Sequence, residues 1–168
     1  MTHRHWIALL PLLSFAACGD PVGPEALSTE RLQAVCGGLC ARQRSCTHET
    51  NADCVSRCTA AGPYLRGDAL EGILSCEEDH SCDALEEGAC DGVIDDLSVP
   101  PVHRAFFGGC ERRQATCPDE DFKCQSDDFR GMRAYTEDFL RPAVACWDKP
   151  CDEVWSCVVN ALAAGLYD

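Results

Sequence analysis

Cysteine offers the most chemistry in this 168-residue chain, which contains fifteen of them. Paired cysteines form disulfides in exported proteins, whereas free thiolates bind soft metal ions. Their spacing is regular, because three cysteines recur after 70 residues: Cys40 and Cys110, Cys54 and Cys124, Cys76 and Cys146. The pattern predicts a duplicated unit in which equivalent cysteines have equivalent partners.

Two cysteines of the first unit are missing together from the second. Cys36 and Cys58 correspond, after the same 70-residue shift, to Phe106 and Asp128. A joint loss is expected if the two form one disulfide, since a lone survivor would be a stray reactive thiol. The pattern therefore predicts a bond between Cys36 and Cys58.

Helix geometry leads to the same pairing. Residues four apart lie on one helix face, so the CxxxC segments at 36–40 and 54–58 face each other in reverse order across two antiparallel helices. Disulfides need a Cα separation of roughly 5.5 Å, which such a pair provides. The spacing resembles that of the disulfide-braced helical hairpins called α-hairpinins. The predicted bonds are Cys36–Cys58, Cys40–Cys54 and, in the second unit, Cys110–Cys124.

Connectivity of the other eight cysteines is less constrained. Cys82 and Cys90 cannot bond within one helix, because eight residues span about 12 Å. The favoured pairs are Cys46–Cys82 with Cys76–Cys90, and Cys117–Cys151 with Cys146–Cys157. The alternative is Cys46–Cys76 with Cys82–Cys90, which requires the last helix of the first unit to begin later. Spacing alone leaves both open.

Hydrophobic periodicity predicts an all-α fold of two tandem disulfide-braced repeats with about four short helices each. No alternating apolar stretch indicates a strand. Ser28 and Thr50 are expected N-caps, Pro142 is expected to kink or end a helix, and Gly165 to stop the last one. The predicted helices span 29–43, 51–61, 64–75, 83–97, 102–115, 120–128, 129–141 and 152–164.

Residues 1–17 have the pattern of a secretory signal, with Arg4 before a short apolar stretch that cannot span a bilayer. The run Phe15-Ala16-Ala17-Cys18 resembles the bacterial lipobox, although that motif usually has Leu where Phe15 stands. The resemblance implies that signal peptidase II cuts before an acylated Cys18, which anchors the protein in the lipid bilayer. Removing Cys18 also leaves an even fourteen cysteines. The alternative is ordinary cleavage, with Cys18 a stray thiol.

The domain organisation follows from these features. Gly19 follows the modified cysteine, and a residue other than Asp at that position favours sorting of a lipoprotein to the outer membrane of the bacterial cell envelope. The Pro100-Pro101 pair breaks a helix and is expected to separate the two repeats. The predicted segments are 1–17 signal peptide, 18–28 lipid anchor and flexible tether, 29–97 repeat 1, 98–103 linker and 104–168 repeat 2.

Charge restricts the choice of partners. The chain has a formal net charge of −14, and the signal contributes only Arg4, so the remainder carries −15. Binding of nucleic acid through a basic surface is excluded by this balance. A protein or cationic partner is compatible with it, as is a purely solubilising role.

The other motifs in the sequence give little information about function. The sequence contains no CxxC, HExxH, GxSxG or P-loop, so we predict no catalytic residue, cofactor or resident metal. Acidic runs at 77–79 and 119–121 are expected at helix N-termini. Arg42 and Arg112, which coincide under the 70-residue shift, are expected on solvated helix faces. Trp147 and Trp155 are expected in helix packing.

Together these features resemble the small cysteine-rich lipoproteins of Gram-negative bacteria. The expected function is that of a membrane-anchored, non-enzymatic binding or structural module with architectural disulfides. The first alternative is thiol-based sequestration of copper or zinc, because bacterial copper storage proteins also contain CxxxC pairs on helices. The second is a hydrolase or inhibitor with a site in the groove between the repeats.

Overall fold

The computed structural model of the protein describes residues 23–48, 51–117, 124 and 127–167. Within these residues the all-α prediction is confirmed, since they contain no β-strand and only an isolated antiparallel bridge between Leu65 and Tyr135. The predicted signal segment, Cys18 and Thr50 lie outside the described residues. The α-helices are α1 (Thr29–Thr47), α2 (Cys54–Ala61), α3 (Gly67–Asp79), α4 (Cys82–Glu86), α5 (Gly92–Asp95), α6 (Pro101–Thr116), α7 (Asp127–Arg130), α8 (Glu137–Val144) and α9 (Cys151–Tyr167).

The first helix begins where its cap predicts. The Ser28 hydroxyl accepts a hydrogen bond from the Arg31 backbone N–H at 3.4 Å, which satisfies one of the free donors of the first turn. The structure places the N-cap of α2 at Asp53, three residues after Thr50. The predicted helix at 120–128 falls mostly outside the described residues.

The predicted helix at 83–97 is wrong, because the chain breaks it into α4 and α5. Gly88 adopts φ +85°, a left-handed conformation that glycine tolerates and that ends a helical run. The break lets the chain reverse, so that α5 packs against α3. Hydrophobic spacing alone did not reveal the break, because Val93 and Ile94 keep the helical period across it.

Two further predicted helices have the wrong extent. The helix expected over 64–75 begins only at Gly67, and the helix expected over 129–141 is interrupted after Ala134. In both places one residue, Leu65 or Tyr135, is extended instead. These two residues pair with each other, so a tertiary contact overrides the local helical pattern.

The last helix continues through Gly165, which was expected to end it. A Cβ at this position would lie 3.2 Å from the Phe139 ring. The glycine therefore permits a close approach of α9 to α8 instead of stopping the helix. Pro142 lies inside α8, and the chain tightens into a 3-10 turn at Ala145–Asp148 soon after it.

Seven disulfides brace the helices, and their Cα separations of 5.2 to 5.9 Å suit relaxed bonds. Each of the fourteen cysteines in the described residues has the partner that the spacing favoured, and the alternative set Cys46–Cys76 with Cys82–Cys90 does not form. The bonds are Cys36–Cys58, Cys40–Cys54, Cys46–Cys82, Cys76–Cys90, Cys110–Cys124, Cys117–Cys151 and Cys146–Cys157.

The described residues contain two hydrophobic clusters, which we assign to a first half (29–97) and a second half (104–168). The first-half cluster is aliphatic and centres on Leu32, Val35 and Cys36. The second-half cluster is aromatic, and Phe106 stacks on Phe129 with ring centroids 5.2 Å apart. Phe106 is as completely buried as Cys36, so a packed ring occupies the position of the missing disulfide.

No helix in the described ranges combines the length and the apolar character needed to cross a bilayer. The division into two repeats at the predicted boundaries stays a prediction.

Candidate functional site

A groove of about 490 Å³, which we call the junction groove, lies where the two halves meet. Its first-half wall comes from α3, α4 and α5, and Arg130 and Gly131 close it from the second half. Apolar and acidic side chains share the lining. The first-half residues are Ile73, Glu77, Leu85, Cys90, Asp91, Ile94 and Asp95.

Helix spacing and one disulfide position these side chains. Ile73 and Glu77 are four residues apart on α3, so both point toward the groove from successive turns. Ile94 and Asp95 come from α5, which the reversal at Gly88 returns against α3. The bond between Cys76 and Cys90 holds that return in place.

An ion pair spans the junction groove. The Arg130 guanidinium lies 3.2 Å from the Asp95 carboxylate. Arg133 adds a hydrogen bond from its Nη1 to the Asp95 backbone oxygen at 2.9 Å. Asp95 is thereby partly neutralised, whereas the groove retains the carboxylates of Glu77 and Asp91.

Glu77 has an unusual electrostatic environment. Burial raises the pKa of its carboxyl above the ordinary range, and the positive charge of Arg42 partly offsets that effect. The acidic run at 77–79 was expected at a helix N-terminus, and this was wrong. The run forms the last turn of α3, where the helix dipole disfavours negative charge.

Arg42 explains how that helix end is stabilised. Its guanidinium donates to the backbone oxygen of Glu77 at 2.8 Å and to that of His80, both at the C-terminal end of α3. In the second half the same contact is made by Arg113, which donates to Trp147 and Lys149 carbonyls. Arg112 is exposed on a solvated helix face as expected, whereas the same expectation was wrong for Arg42, which is half-buried and binds the end of α3.

A second constellation, which we call the Cys–His cluster, consists of Cys76, His80 and Cys90. One ligand atom from each lies within 4.8 Å of the others. The Cys76 sulfur is 3.7 Å from the His80 Nδ1, which also lies 2.8 Å from the Cys76 backbone oxygen. Cys76 and Cys90 are bonded to each other, so neither sulfur is a thiolate in this state.

The other predicted site residues have clear positions. The fourteen cysteines expected to pair are all in disulfides, and Cys18 lies outside the described residues. Trp147 is buried as expected, whereas Trp155 is half exposed on the outer face of α9. The acidic run at 119–121 is outside the described residues.

Sequence reasoning offered a groove between the repeats as an alternative site but identified none of its lining residues, and it missed the Cys–His cluster. The groove required knowledge of which helix ends meet, and no local pattern encodes that. The cluster had one available signal, because Cys76 and His80 are four residues apart and therefore share a helix face.

Comparison of the chain with known protein families, with curated proteins and with solved structures finds no match.

Proposed function

We propose that the mature protein is a cysteine-rich lipoprotein of the bacterial cell envelope, held in the outer membrane by acylated Cys18. The observation that supports this is the cysteine balance. Seven disulfides account for fourteen of the fifteen cysteines, and the remaining one is Cys18. It follows a signal-like segment at the position where a lipobox places the modified residue.

Mass spectrometry of the protein from its native membrane tests the anchor. We expect an N-terminal Cys18 carrying diacylglyceryl and acyl groups, and we expect Cys18→Ser to release the protein from the membrane fraction. Phe15→Leu is the matched control, since it introduces the residue usual in lipoboxes and should preserve lipidation. An unchanged membrane fraction for Cys18→Ser would reject the proposal.

We assign the disulfides an architectural role. A half of about 70 residues has a thin hydrophobic core, and each disulfide typically contributes about 2–4 kcal/mol. Thiol titration of the denatured, unreduced protein should therefore detect no free thiol. Several free thiols together with stoichiometric copper or zinc on the purified protein would favour metal sequestration instead.

The junction groove is the proposed binding site, and its occupant is a basic side chain of a protein partner. A lysine side chain has an apolar stem and an ammonium head. Ile73, Leu85 and Ile94 match the stem, while Glu77 and Asp91 match the head. A bound cation would also compensate the half-buried Glu77 carboxylate, whose pKa is raised by burial.

Nuclear magnetic resonance titration with Nα-acetyl-lysine-N-methylamide, whose side-chain ammonium is free, tests this site. The norleucine analogue is the uncharged control, because its apolar side chain resembles the lysine stem. We expect shifts at Ile73 and Ile94 methyl groups with the lysine compound only. Glu77→Gln should weaken binding several-fold, whereas Glu78→Gln, a change at an exposed neighbour, should not. Equal binding of both compounds, or no binding, would reject a cation site.

One observation favours the second candidate, a hydrolase that uses the same groove. A carboxyl group with raised pKa in a concave site is suited to general acid catalysis. If the purified protein hydrolyses ester or amide substrates and Glu77→Gln abolishes turnover, the groove is catalytic. Binding of the lysine compound without any turnover supports the binding module.

A further inference from the structure

Beyond the proposed binding role, we propose that the Cys–His cluster becomes a zinc site when a thiol reductant opens the Cys76–Cys90 disulfide. The site would bind Zn(II) through the two released thiolates and the imidazole of His80. The protein would then hold a metal only under reducing conditions, in contrast to a permanent thiolate store.

The distances suit zinc. Tetrahedral coordination with Zn–S near 2.3 Å and Zn–N near 2.0–2.1 Å places sulfur and nitrogen about 3.6 Å apart. The Cys76 sulfur and the His80 Nδ1 already lie 3.7 Å apart. The two sulfurs need to separate to about 3.8 Å in such a site. Their Cα atoms, 5.8 Å apart, leave room for that by side-chain rotation.

Access for a reductant favours two of the seven disulfides, and Cys76–Cys90 is one of them. Exchange requires a thiolate to reach one sulfur directly. Five of the seven disulfides include at least one buried cysteine, whereas Cys46–Cys82 and Cys76–Cys90 do not. His80 is exposed beside the second of these bonds. In the described part of the chain, the Cys–His cluster is the one group of three potential ligands within coordinating distance.

The surroundings favour a cation. Asp79 and Asp96 line the same open depression as Cys76 and His80. A water molecule would complete a four-coordinate site, since neither carboxylate belongs to the group within coordinating distance. The equivalent disulfide of the second half, Cys146–Cys157, has Lys149 and Pro150 in the segment that corresponds to His80, so that half lacks the third ligand.

The chemistry balances as two successive steps. A thiolate of a dithiol reductant attacks one sulfur of the Cys76–Cys90 bond and forms a mixed disulfide. The second thiol of the reductant then displaces the protein sulfur, and the reductant leaves as a cyclic disulfide. The reductant thereby supplies the two electrons and two protons that convert the bond into two thiols. Zn(II) then binds both sulfurs as thiolates and displaces the two protons, while the His80 imidazole coordinates in its neutral form.

The test uses the lipidated mature protein in detergent, treated anaerobically with increasing dithiothreitol. Alkylation and peptide mass mapping should identify Cys76 and Cys90 among the first free thiols, with circular dichroism showing that the helices persist. After removal of the reductant, Co(II) should bind one per chain with thiolate charge-transfer absorption, and Zn(II) should displace it. The untreated protein should show no such absorption.

Variants distinguish metal binding at the Cys–His cluster from binding at Cys46–Cys82, the other accessible disulfide. His80→Ala should weaken Co(II) binding at least about tenfold, the loss seen even when an outer-shell partner is removed. Cys46→Ser with Cys82→Ser should leave binding intact, and Cys76→Ser with Cys90→Ser should abolish it. Equal Co(II) binding by the untreated protein, unchanged binding by His80→Ala, or a Cys76–Cys90 bond that opens only when the helices unfold would each overturn the proposal.

Discussion

Leu65 and Tyr135 lie 70 residues apart and pair as an antiparallel bridge between the two halves. The backbone N–H of Arg66 donates to Ala134, and that of Thr136 donates to Tyr64, both at 2.8 Å. The two hydrogen bonds are equivalent under the 70-residue shift. Adding 70 to the donor Arg66 gives Thr136, and subtracting 70 from the acceptor Ala134 gives Tyr64. A bridge between equivalent residues has a local twofold axis, the relation seen in isologous dimer contacts. The duplication itself stays a prediction.

The side chains next to the bridge break that symmetry, and Arg66 is the largest difference. Its guanidinium is completely buried, forms an ion pair with Asp68 at 2.5 Å and donates to Ser98 in the linker and to the Arg133 carbonyl. We predict that Arg66→Met destabilises the protein by about 1–3 kcal/mol, because the half-buried Asp68 carboxylate loses its partner and the Ser98 and Arg133 carbonyls lose their donor. Denaturant unfolding followed by circular dichroism measures the change.

Arg31→Met is the matched control for that prediction. Arg31 also pairs with a carboxylate, Glu71, but its side chain is 59% exposed. An exposed pair contributes only about 0–1 kcal/mol, so this variant should unfold close to the wild-type denaturant concentration. Equal losses for both arginine variants would contradict the assignment of the buried network as a stabilising contact between halves.

The pairing of Cys36 with Cys58 can be tested by comparing the replacement of both cysteines with the replacement of one. We predict that replacing both cysteines by alanine costs about 2–4 kcal/mol, the usual contribution of one disulfide. Replacing Cys36 alone should be worse, because the remaining Cys58 thiol can attack neighbouring disulfides. Unfolding free energies and disulfide mapping distinguish the cases. A double variant clearly less stable than the single one would show that the two residues do not behave as a pair.

His103 makes stability depend on pH. Burial lowers the pKa of its imidazole below the unfolded-chain value of 6.5, and the facing groups Arg66 and Glu137 act in opposite directions. The unfolded chain therefore binds the extra proton first as pH falls below about 6.5, so stability decreases from there until the folded pKa is reached. The slope is at most about 1.4 kcal/mol for each pH unit.

Denaturant unfolding at several pH values from 8 to 5 measures this effect. His103→Gln, which keeps a donor for the Tyr135 carbonyl, should flatten the loss between pH 6.5 and 5. His48→Gln is the matched control, since it replaces an exposed histidine by the same residue. A wild-type profile that rises as pH falls through 6.5 would contradict the sign of the prediction.

Two helical glycines should respond to alanine in opposite ways. A Cβ on Gly109 would overlap the Trp147 ring, whereas a Cβ on Gly37 would meet nothing within 4 Å. We predict that Gly109→Ala destabilises by about 1–3 kcal/mol through overpacking. Gly37→Ala should stabilise by about 0.5–1 kcal/mol, because alanine favours helix. Thermal unfolding of both variants provides the measurement, and a shift of the same sign in both would reject this packing.

Cysteine pairing was readable from the sequence because a disulfide needs two residues whose helix positions match. The CxxxC spacing placed Cys36 opposite Cys58 and Cys40 opposite Cys54 without knowledge of the fold. For the remaining cysteines the spacing favoured one set of pairs without excluding the alternative, because the correct set depends on where the chain reverses direction. That reversal occurs at Gly88, and its left-handed backbone is a local choice that hydrophobic spacing does not report.

By itself the sequence determined the helical class, the cysteine partners of each hairpin and the acidic charge, because these depend on residue type and on separations within one or two helices. The tertiary structure alone decided which distant residues meet: Leu65 with Tyr135 and Arg130 with Asp95 across the halves, and Arg42 with the end of α3 within the first half. Such contacts join residues 35 to 70 positions apart. Their geometry depends on how whole helices pack, and no spacing along the chain records it.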